Sequence, residues 1–534
     1  MSRTRRSAAN FAASAGLSAL TLIGGLIASP LLAGWLGDEA FGAWRALSEA
    51  AMWLTLLEFG LLGAMQPVFA RALAGGKVGE LHAAVRAAGR GYGRATLLKF
   101  VVLAAAIPVV GWLIPVGADD LPDLRLATLT LLAGVPVAAL GYARVVIECR
   151  QQSYLVTALL TAQYLVTLAA ALLLARDGWG VTGQAAAATL GAVALNGGIA
   201  LIELRRGTPL LAGLRPRFRR RPRDGRAPGP EGAESEATGA EELEDQFAAE
   251  LRKFNGPVFL RQLGGRAAVW SDSLIVAFLL DPAAVTGFYF TRRACDLVGT
   301  QVGMISSATW AGLGELYHGG DRAAYRERVA EVTKLAALVA AAGLLPAVLL
   351  NQSFVTLWAG EERYAGPLVT AASAAVAFLL PITFIWDWAL HAAGHVRALV
   401  PMSLAAAALN IAFSFGLTPH LGVAGPLLGT AISYAATAAW YEPLLMRRKL
   451  GFRARDLYAA ALRPLAPAVA AGLIAWPALP AGGASTWPEL FVYAGAIGGS
   501  YVVLAWFAAL TAAERRRWGR LLSRRVRPQR GDRR

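Results

Sequence analysis

The chain has 534 residues, of which 56% are hydrophobic and only 16% are charged, and its mean hydropathy is +0.48. Soluble domains carry about 25% charged residues, so this composition argues against a soluble protein and indicates one with many membrane-spanning helices. The net charge of +16 would suit a nucleic-acid binder. However, the basic residues concentrate in connecting segments and in the C-terminal tail, as the positive-inside rule predicts. We therefore predict no nucleic-acid partner, and contact of these basic segments with anionic lipid headgroups.

Apolar runs of about 20 residues, each long enough to cross a hydrocarbon core of about 30 Å, recur from end to end. The first, Phe11 to Leu36, follows three arginines but is too long for the apolar part of a signal peptide, so we interpret it as an uncleaved first helix. About fourteen transmembrane helices are predicted in total. The further spans are 43–66, 95–116, 124–147, 152–176, 181–203, 257–280, 285–313, 328–350, 367–392, 398–418, 422–446, 458–478 and 488–511.

The charge of the connecting segments alternates along the chain. Basic residues fall at 71–94, 150, 322–326 and 447–453, whereas the intervening segments are acidic or neutral, as at 119–123, 281–282 and 361–362. Basic segments stay in the cytoplasm during insertion. The pattern therefore predicts a multi-pass membrane protein with both termini in the cytoplasm.

A pattern that runs from Leu36 to Arg90 recurs in weaker form from Leu280 to Val329. Both copies end in a glycine pair before a polar segment, and about half the chain separates them. Six predicted helices lie between the copies, so both would enter the membrane in the same direction. The predicted fold is an all-α integral membrane protein with two parallel-repeat six-helix lobes around a central cavity, plus two extra C-terminal helices.

Five segments follow from this organisation: an N-terminal lobe (1–204), a charged cytoplasmic loop (205–254), a C-terminal lobe (255–450), helices 13 and 14 (451–512) and a basic cytoplasmic tail (513–534). The loop is first rich in arginine and then in acidic residues, with little apolar surface to bury. It is therefore predicted to be a disordered linker that could include a short amphipathic helix near 246–254. The tail is interpreted as a membrane-surface anchor.

Motifs of soluble enzymes do not occur at the required spacing. The Gly-Gly-Lys at 75–77 lacks the spacing of a P-loop, and the glycines at 89–93 do not follow a strand as a dinucleotide-binding motif would. Cys149 and Cys295 fall in different halves without metal-ligand spacing. We therefore predict that the protein is not an enzyme and that it has no metal site or cofactor.

Ionisable residues within predicted spans are the candidate functional groups, because charges in lipid are costly and usually face a cavity. Arg45 and Glu49 are four residues apart and share a helix face, whereas Arg261 and Asp272 lie about three turns apart on nearly one face. The complete set comprises Arg45, Glu49 and Glu58 on helix 2, Arg261, Arg266 and Asp272 on helix 7, Arg292, Arg293 and Asp296 on helix 8, and Asp387 with His391 on helix 10.

Each of these residues also has a structural interpretation. Arg45 and Arg261 lie near span ends, where an arginine can extend to the headgroups. Arg292 and Asp296 could be a structural ion pair, and an interfacial position is favoured for His391 over a role in proton transfer. The set holds five arginines and five acids, and more of the arginines than of the acids are expected to face the presumed cavity. The balance favours an anionic substrate such as a phosphate or pyrophosphate, whose oxygens suit the guanidinium fork.

Several short motifs, taken in order, resemble those of the polysaccharide-type flippases of the multidrug/oligosaccharidyl-lipid/polysaccharide exporter superfamily. Residues 36–44 carry the Leu-Gly, acidic and Phe-Gly elements typical of that family, and residues 57–61 resemble its Leu-Asp-Leu-Gly-Leu run. Further matches are Phe69-Ala70-Arg71, the Asp-containing stretch at 271–276, and residues 287–293. A proline common in the family late in helix 8 is missing at 307–310.

The resemblance implies translocation of a polyprenyl-pyrophosphate-linked oligosaccharide from the cytoplasmic to the outer leaflet by alternating access, for the synthesis of cell-envelope polysaccharide. A glycan polymerase or glycosyltransferases could be partners, and the last two helices could flank a groove for the lipid tail. Substrate-binding residues would be Arg45, Arg261, Arg266, Arg292 and Arg293. The acids that could serve in coupling or in structural ion pairs are Glu49, Glu58, Asp272, Asp296 and Asp387.

Two other functions stay open at this stage. A drug or cation antiporter of the same superfamily would be expected to carry a coupling acid early in its first helix, but no charged residue occurs between Asn10 and Asp38. A non-transporting scaffold could recruit envelope enzymes through the 205–254 loop and the basic tail. Such a scaffold would not need charges within its spans.

Overall fold

The computed structural model describes residues 3–58, 60–74, 78–211, 243–249, 259, 271–480 and 482–518. Within these ranges the regular structure is helical and no strand is present. The chain divides into two compact units, Met1–Thr286 and Gly287–Arg534. The all-α class is therefore confirmed, whereas the predicted five-segment division and the parallel repeat stay predictions.

The described part of the first unit contains nine α-helices outside the central loop, and a tenth begins in it and continues into the second unit. Their bounds are α1 Arg3–Leu36, α2 Asp38–Trp53, α3 Leu61–Ala74, α4 Val78–Leu113, α5 Leu121–Ala138, α6 Ala143–Cys149, α7 Ser153–Arg176, α8 Gly180–Arg205, α9 Asp272–Leu279 and α10 Pro282–His318. Residues 243–249 of the central loop are also helical.

The second unit continues α10 and, among its described residues up to 508, adds eight further α-helices. These are α11 Arg322–Ala359, α12 Pro367–Ala392, α13 Val396–Leu421, α14 Gly425–Ala436, α15 Ala438–Leu450, α16 Ala454–Leu462, α17 Leu465–Ala475 and α18 Trp487–Ala508. Residues 512–518 form a short helical stretch after α18.

Ten candidate membrane spans occur among the described residues, judged by helix length and composition. The predicted spans 152–176, 181–203 and 367–392 agree closely with α7, α8 and α12. One candidate, Val396–Leu450, is long enough for two crossings and includes α13 to α15. The multi-pass membrane character is thus supported, and the count of fourteen spans stays a prediction.

Several predicted spans are interrupted rather than continuous. The predicted span 43–66 contains the end of α2, a 3₁₀ turn at Leu54–Glu58 and the start of α3. Gly60 lies between them at φ 71°, in the left-handed region that glycine tolerates best. The predicted span 458–478 is similarly divided into α16 and α17 at Pro464, because a proline has no N–H to continue the helical hydrogen bonds and its ring clashes with the preceding turn.

The core of the first unit brings together α3, α4, α6 and α8. Met65, Phe69 and Ile147 are completely buried there, and the hydroxyl of Tyr142 donates a hydrogen bond to the carbonyl of Leu210 at 2.9 Å. Glycine also allows close helix contact, because a Cβ at position 191 would collide with the Thr167 hydroxyl of the neighbouring α7. Small residues at helix crossings are a general device for packing in membranes.

In the second unit, α11 contacts α12, α16, α17 and α18. The Tyr325 hydroxyl of α11 donates to the carbonyl of Ala389 at 2.7 Å, and the Trp386 indole donates to the Thr333 hydroxyl at 3.2 Å. The Lys334 ammonium lies 2.8 Å from the Glu514 carboxylate and so fixes the 512–518 stretch to α11. These two hydrogen bonds and the ion pair therefore fix the positions of α12 and of the 512–518 stretch relative to α11.

His395, in the short connection between α12 and α13, provides a test of local electrostatics. Burial, followed by the charges of Lys449 and Arg322, lowers the pKa of its imidazole below the ordinary value near 6.5. The unfolded chain then binds the proton more readily than the native protein, so stability falls as the pH drops below that value. We expect His395→Gln to reduce the loss of thermal midpoint between pH 7.5 and pH 5.5. Replacing the exposed His420 by glutamine is the control, and an unchanged loss in His395→Gln would contradict the expectation.

Candidate functional site

The first part of the candidate site is a contact between α2 and the start of α9. One oxygen of the Glu49 carboxylate accepts a hydrogen bond from the Ser273 hydroxyl at 2.6 Å, and the other accepts from the Ser273 backbone N–H at 3.0 Å. A carboxylate at the first turn of a helix satisfies donors that lack helical partners. Arg45 lies one turn earlier on α2 with its Nε atom buried, and Asp272, next to Ser273, is also buried. The predicted residues Arg45, Glu49 and Asp272 are thus brought together in this unit.

Glu58 belongs to a different cluster. Its carboxylate lies 2.5 Å from the Lys99 ammonium and 3.0 Å from the Tyr92 hydroxyl, both on α4. The Lys99 ammonium also lies 5.7 Å from the centre of the Tyr92 ring. Only 7% of Lys99 is exposed, so the pair is largely buried. Glu58 therefore has a specific cationic partner on α4, and it does not share the contact made by Glu49.

The second unit holds two adjacent arginines of the predicted set on α10. The Arg292 Nε atom lies 2.8 Å from an Asp296 carboxylate oxygen, one helical turn away. The Arg292 guanidinium lies 4.9 Å from the centre of the Phe288 ring, and that of Arg293 lies 5.8 Å from the centre of the Tyr289 ring. Both cations therefore lie within cation–π range of an aromatic side chain. The ion pair proposed as the structural interpretation of Arg292 and Asp296 is present.

Asp387 and His391 lie near the end of α12. Asp387 is buried. The His391 ring stacks on the Trp388 ring with centroids 5.4 Å apart, and it approaches Trp310 of α10 at 6.0 Å. An aromatic group of this kind is common at the depth of the lipid headgroups. The arrangement is compatible with the interfacial position favoured for His391.

Arg261 and Arg266 lie outside the described residues, so the structure gives no account of these two predicted substrate-binding residues. Among the parts of the chain that are described, no three His, Cys, Asp or Glu side chains come together as a metal site would require. Of the five arginines predicted to bind substrate, those with described surroundings are therefore Arg45 in the first unit and Arg292 and Arg293 in the second.

Five buried charged residues in the described part of the chain are absent from the predicted site residues. Lys99, Glu203, Lys334 and Glu442 all lie within predicted spans. Glu244 falls in the loop predicted to be disordered. All five are at most 9% exposed in the structure. The sequence signal that could have identified those within predicted spans is a charged residue inside an otherwise apolar stretch, including the ends of the stretch.

Comparisons with known proteins identify the fold. No protein-family model matches the sequence, and no curated protein matches it closely enough to establish a relationship. The chain is similar in structure to the lipid II flippase MurJ in an inward closed conformation, with a TM-score of 0.65 and 12% identity over 92% of this chain and 97% of that one. It is also similar to an inward-facing multidrug resistance MATE transporter, with a TM-score of 0.60 and 15% identity over 81% and 94% of the two chains.

A third similar structure is a transporter of the MOP superfamily from Pyrococcus furiosus, with a TM-score of 0.56 and 15% identity over 82% of this chain and 95% of that one. The similarity to all three extends over most of both chains. The fold implied by the resemblance drawn from the sequence is therefore confirmed. By their descriptions, the similar proteins are a lipid flippase and transporters.

Proposed function

Starting from the fold that this chain shares with a lipid flippase and with MOP-superfamily transporters, we propose that it is a flippase. It would move a polyprenyl-pyrophosphate-linked oligosaccharide from the cytoplasmic to the outer leaflet of a bacterial cytoplasmic membrane by alternating access. The product would supply cell-envelope polysaccharide synthesis, in which a glycan polymerase or glycosyltransferases could act as partners.

The observation that carries this proposal is the oriented pair of arginines on α10. Arg292 is held between Asp296 and the Phe288 ring, and Arg293 lies near the Tyr289 ring. An aromatic face restricts a guanidinium without using its N–H donors, so these donors can still bind phosphate oxygens. Asp296 is 35% exposed on its side chain. A pyrophosphate could therefore replace this carboxylate as the partner of Arg292 at little cost in desolvation.

The remaining residues of the proposed site rest on different support. Arg45 is proposed as a substrate contact of the first unit, one turn from the Glu49–Ser273 contact, whereas Arg261 and Arg266 are proposed by resemblance alone. Glu49, Glu58, Asp272, Asp296 and Asp387 are proposed as coupling groups or members of structural ion pairs. The last two spans are proposed to contact the lipid tail, and the basic segments to contact anionic headgroups.

The test is a leaflet assay in proteoliposomes with a fluorescent polyprenyl-pyrophosphate sugar. A hydrogen bond to a charged group contributes about 1.5–3 kcal/mol. We therefore expect Arg292→Gln to slow protein-dependent translocation by about 10- to 100-fold, and Arg293→Gln to act in the same direction.

Arg328→Gln is the matched control, because Arg328 is an exposed arginine of the same unit that pairs with Glu331 at 2.8 Å. It should translocate at the wild-type rate. Equal rates for Arg292→Gln and Arg328→Gln would remove Arg292 from the site. If the wild type does not move the lipid but takes up a cationic dye along a proton or sodium gradient, the antiporter replaces the flippase. Inactivity in both assays would favour the scaffold.

A further inference from the structure

The described part of the central loop, residues 243–249, packs against the first unit. Phe247 is only 8% exposed and belongs to the same apolar cluster as Val85 and Tyr142, with Leu243 and Ala248 packed against it. Glu244 lies between these apolar contacts and is 4% exposed. This segment begins slightly before the amphipathic helix expected near 246–254. The apolar side chains of residues 243–249 therefore hold the Glu244 carboxylate at a defined position on the first unit.

That carboxylate meets two arginines of α4. Arg86 Nε lies 3.4 Å from one Glu244 oxygen, and Arg90 pairs with the other. Arg86 and Arg90 are four residues apart and so project from one face of the helix. A carboxylate with so little exposure would be costly to bury without such partners. The two guanidiniums thus form a built anion site, with Glu244 as its occupant in this structure.

The surrounding charges make this face of the first unit positive. Arg150 and Arg206 pair with Glu203, which is completely buried, at 3.5 and 2.9 Å. His82 interacts electrostatically with both Arg86 and Arg150. Each of the two buried carboxylates therefore pairs with two arginines, so these six groups carry a net positive charge. A ligand with more than one negative charge would be attracted here more strongly than a single carboxylate.

We infer that Arg86 and Arg90 form a binding site for a phosphate group, which Glu244 occupies as an internal ligand and from which a polyanion displaces it. Paired guanidiniums match the oxygens of phosphate. Because Glu244 is on the same chain, it competes at an effective concentration in the millimolar range. Displacement therefore requires a multivalent phosphate or a phosphate concentrated at a surface, and it would release residues 243–249 from the unit.

The phosphate could come from a soluble pyrophosphate or from an anionic lipid headgroup, since the charge pattern predicts that this end of α4 faces the cytoplasm. The inference does not depend on the proposed transport function. Its experiment therefore follows the position of the 243–249 segment and the binding of pyrophosphate itself, without any measurement of translocation.

The experiment places a spin label at Gln246→Cys, an exposed position of the segment, in full-length protein that carries Cys149→Ser and Cys295→Ala. The protein is held in phosphatidylcholine nanodiscs and titrated with inorganic pyrophosphate, or with sodium chloride at equal ionic strength. We expect pyrophosphate at millimolar concentration to mobilise the label, and sodium chloride to leave it largely immobile. Phosphatidylglycerol nanodiscs distinguish the sources, because a headgroup ligand would mobilise the label without pyrophosphate and a soluble ligand would still require it.

Variants distinguish the role of the two arginines, Arg86 and Arg90, from that of Glu244. Glu244→Gln removes the competing charge, so pyrophosphate should bind about tenfold more tightly by calorimetry, the factor that corresponds to about 1.4 kcal/mol. Arg86→Gln with Arg90→Gln should give a mobile label and no detectable pyrophosphate binding. Arg144→Gln is the control, because Arg144 pairs with Glu148 at 2.6 Å within α6, and it should behave like the wild type.

Two results would overturn the inference: a label that responds equally to pyrophosphate and sodium chloride, or a double arginine variant that still binds pyrophosphate. The proposed transport function is tested independently of this anion site, by the leaflet assay. A protein that binds pyrophosphate at this site but moves no lipid in the leaflet assay would retain the anion site and lose the flippase proposal.

Discussion

Replacement of Lys99 by methionine is expected to lower the free energy of unfolding by about 3–5 kcal/mol, the usual cost of breaking a buried ion pair. The change leaves the Glu58 carboxylate without its ammonium partner at 2.5 Å, and only the Tyr92 hydroxyl at 3.0 Å still donates to it. The penalty comes from the stranded charge rather than from lost packing, since methionine fills nearly the same volume as lysine. The thermal midpoint of purified protein in detergent, followed by tryptophan fluorescence, measures the effect.

The double variant Glu58→Gln with Lys99→Met distinguishes a stranded charge from a packing defect. Neutralising both partners should recover most of the lost stability, because a neutral amide can still accept the Tyr92 hydrogen bond. Lys449→Met, at an exposed lysine, should leave the midpoint unchanged. If the double variant is as unstable as Lys99→Met alone, the buried pair is not the cause.

The second large effect is expected at Gly42, where α2 meets the first turn of α10. A Cβ atom at this position would collide with the backbone carbonyl of Pro282. The Thr286 hydroxyl holds the same turn by donating to the carbonyl of Asp38 at 2.7 Å, so the two helices cannot separate without losing that bond. We expect Gly42→Ala to destabilise the protein by about 1–3 kcal/mol, the usual cost of overpacking. This outweighs the gain of about 1 kcal/mol that alanine brings to a helix interior.

Gly34→Ala is the matched comparison, because Gly34 also lies in a helix but a Cβ there would have no described atom within 4 Å. Its thermal midpoint should stay the same or rise slightly, opposite in sign to that of Gly42→Ala. A midpoint for Gly42→Ala equal to that of the wild type would mean that the contact between α2 and α10 is looser than the structure indicates.

The sequence was sufficient to predict the all-α class and most of the long helices. The apolar runs of α7, α8 and α12 end at clear polar or glycine boundaries, which is why their predicted limits agree with the structure. Interruptions were not predictable from hydropathy, because the 3₁₀ turn at Leu54–Glu58 occurs inside a predominantly apolar run. It depends on the conformation of Gly60, which composition does not reveal.

The candidate site was predictable in its residue types but not in its pairings. Helical spacing correctly suggested the contact of Arg292 with Asp296, since four residues separate them. The partner of Glu58 lies 41 residues away and that of Glu49 lies 224 residues away. No local pattern reports contacts over such separations. Glu244 was missed for a related reason, because its loop has too few apolar residues to predict folding. Phe247 nevertheless packs into an existing core, and Glu244 pairs with Arg86 and Arg90.

The contact between Glu49 and Ser273 also sets a time order for biogenesis. Ribosomes add about 5–20 residues per second, so the 224 residues that separate these partners delay the arrival of the serine by roughly 10–45 s. During that interval Glu49 has been synthesised, whereas Ser273, its hydrogen-bond donor, has not. Arg45, one turn away and made before it, is the charge that can accompany Glu49 into the membrane.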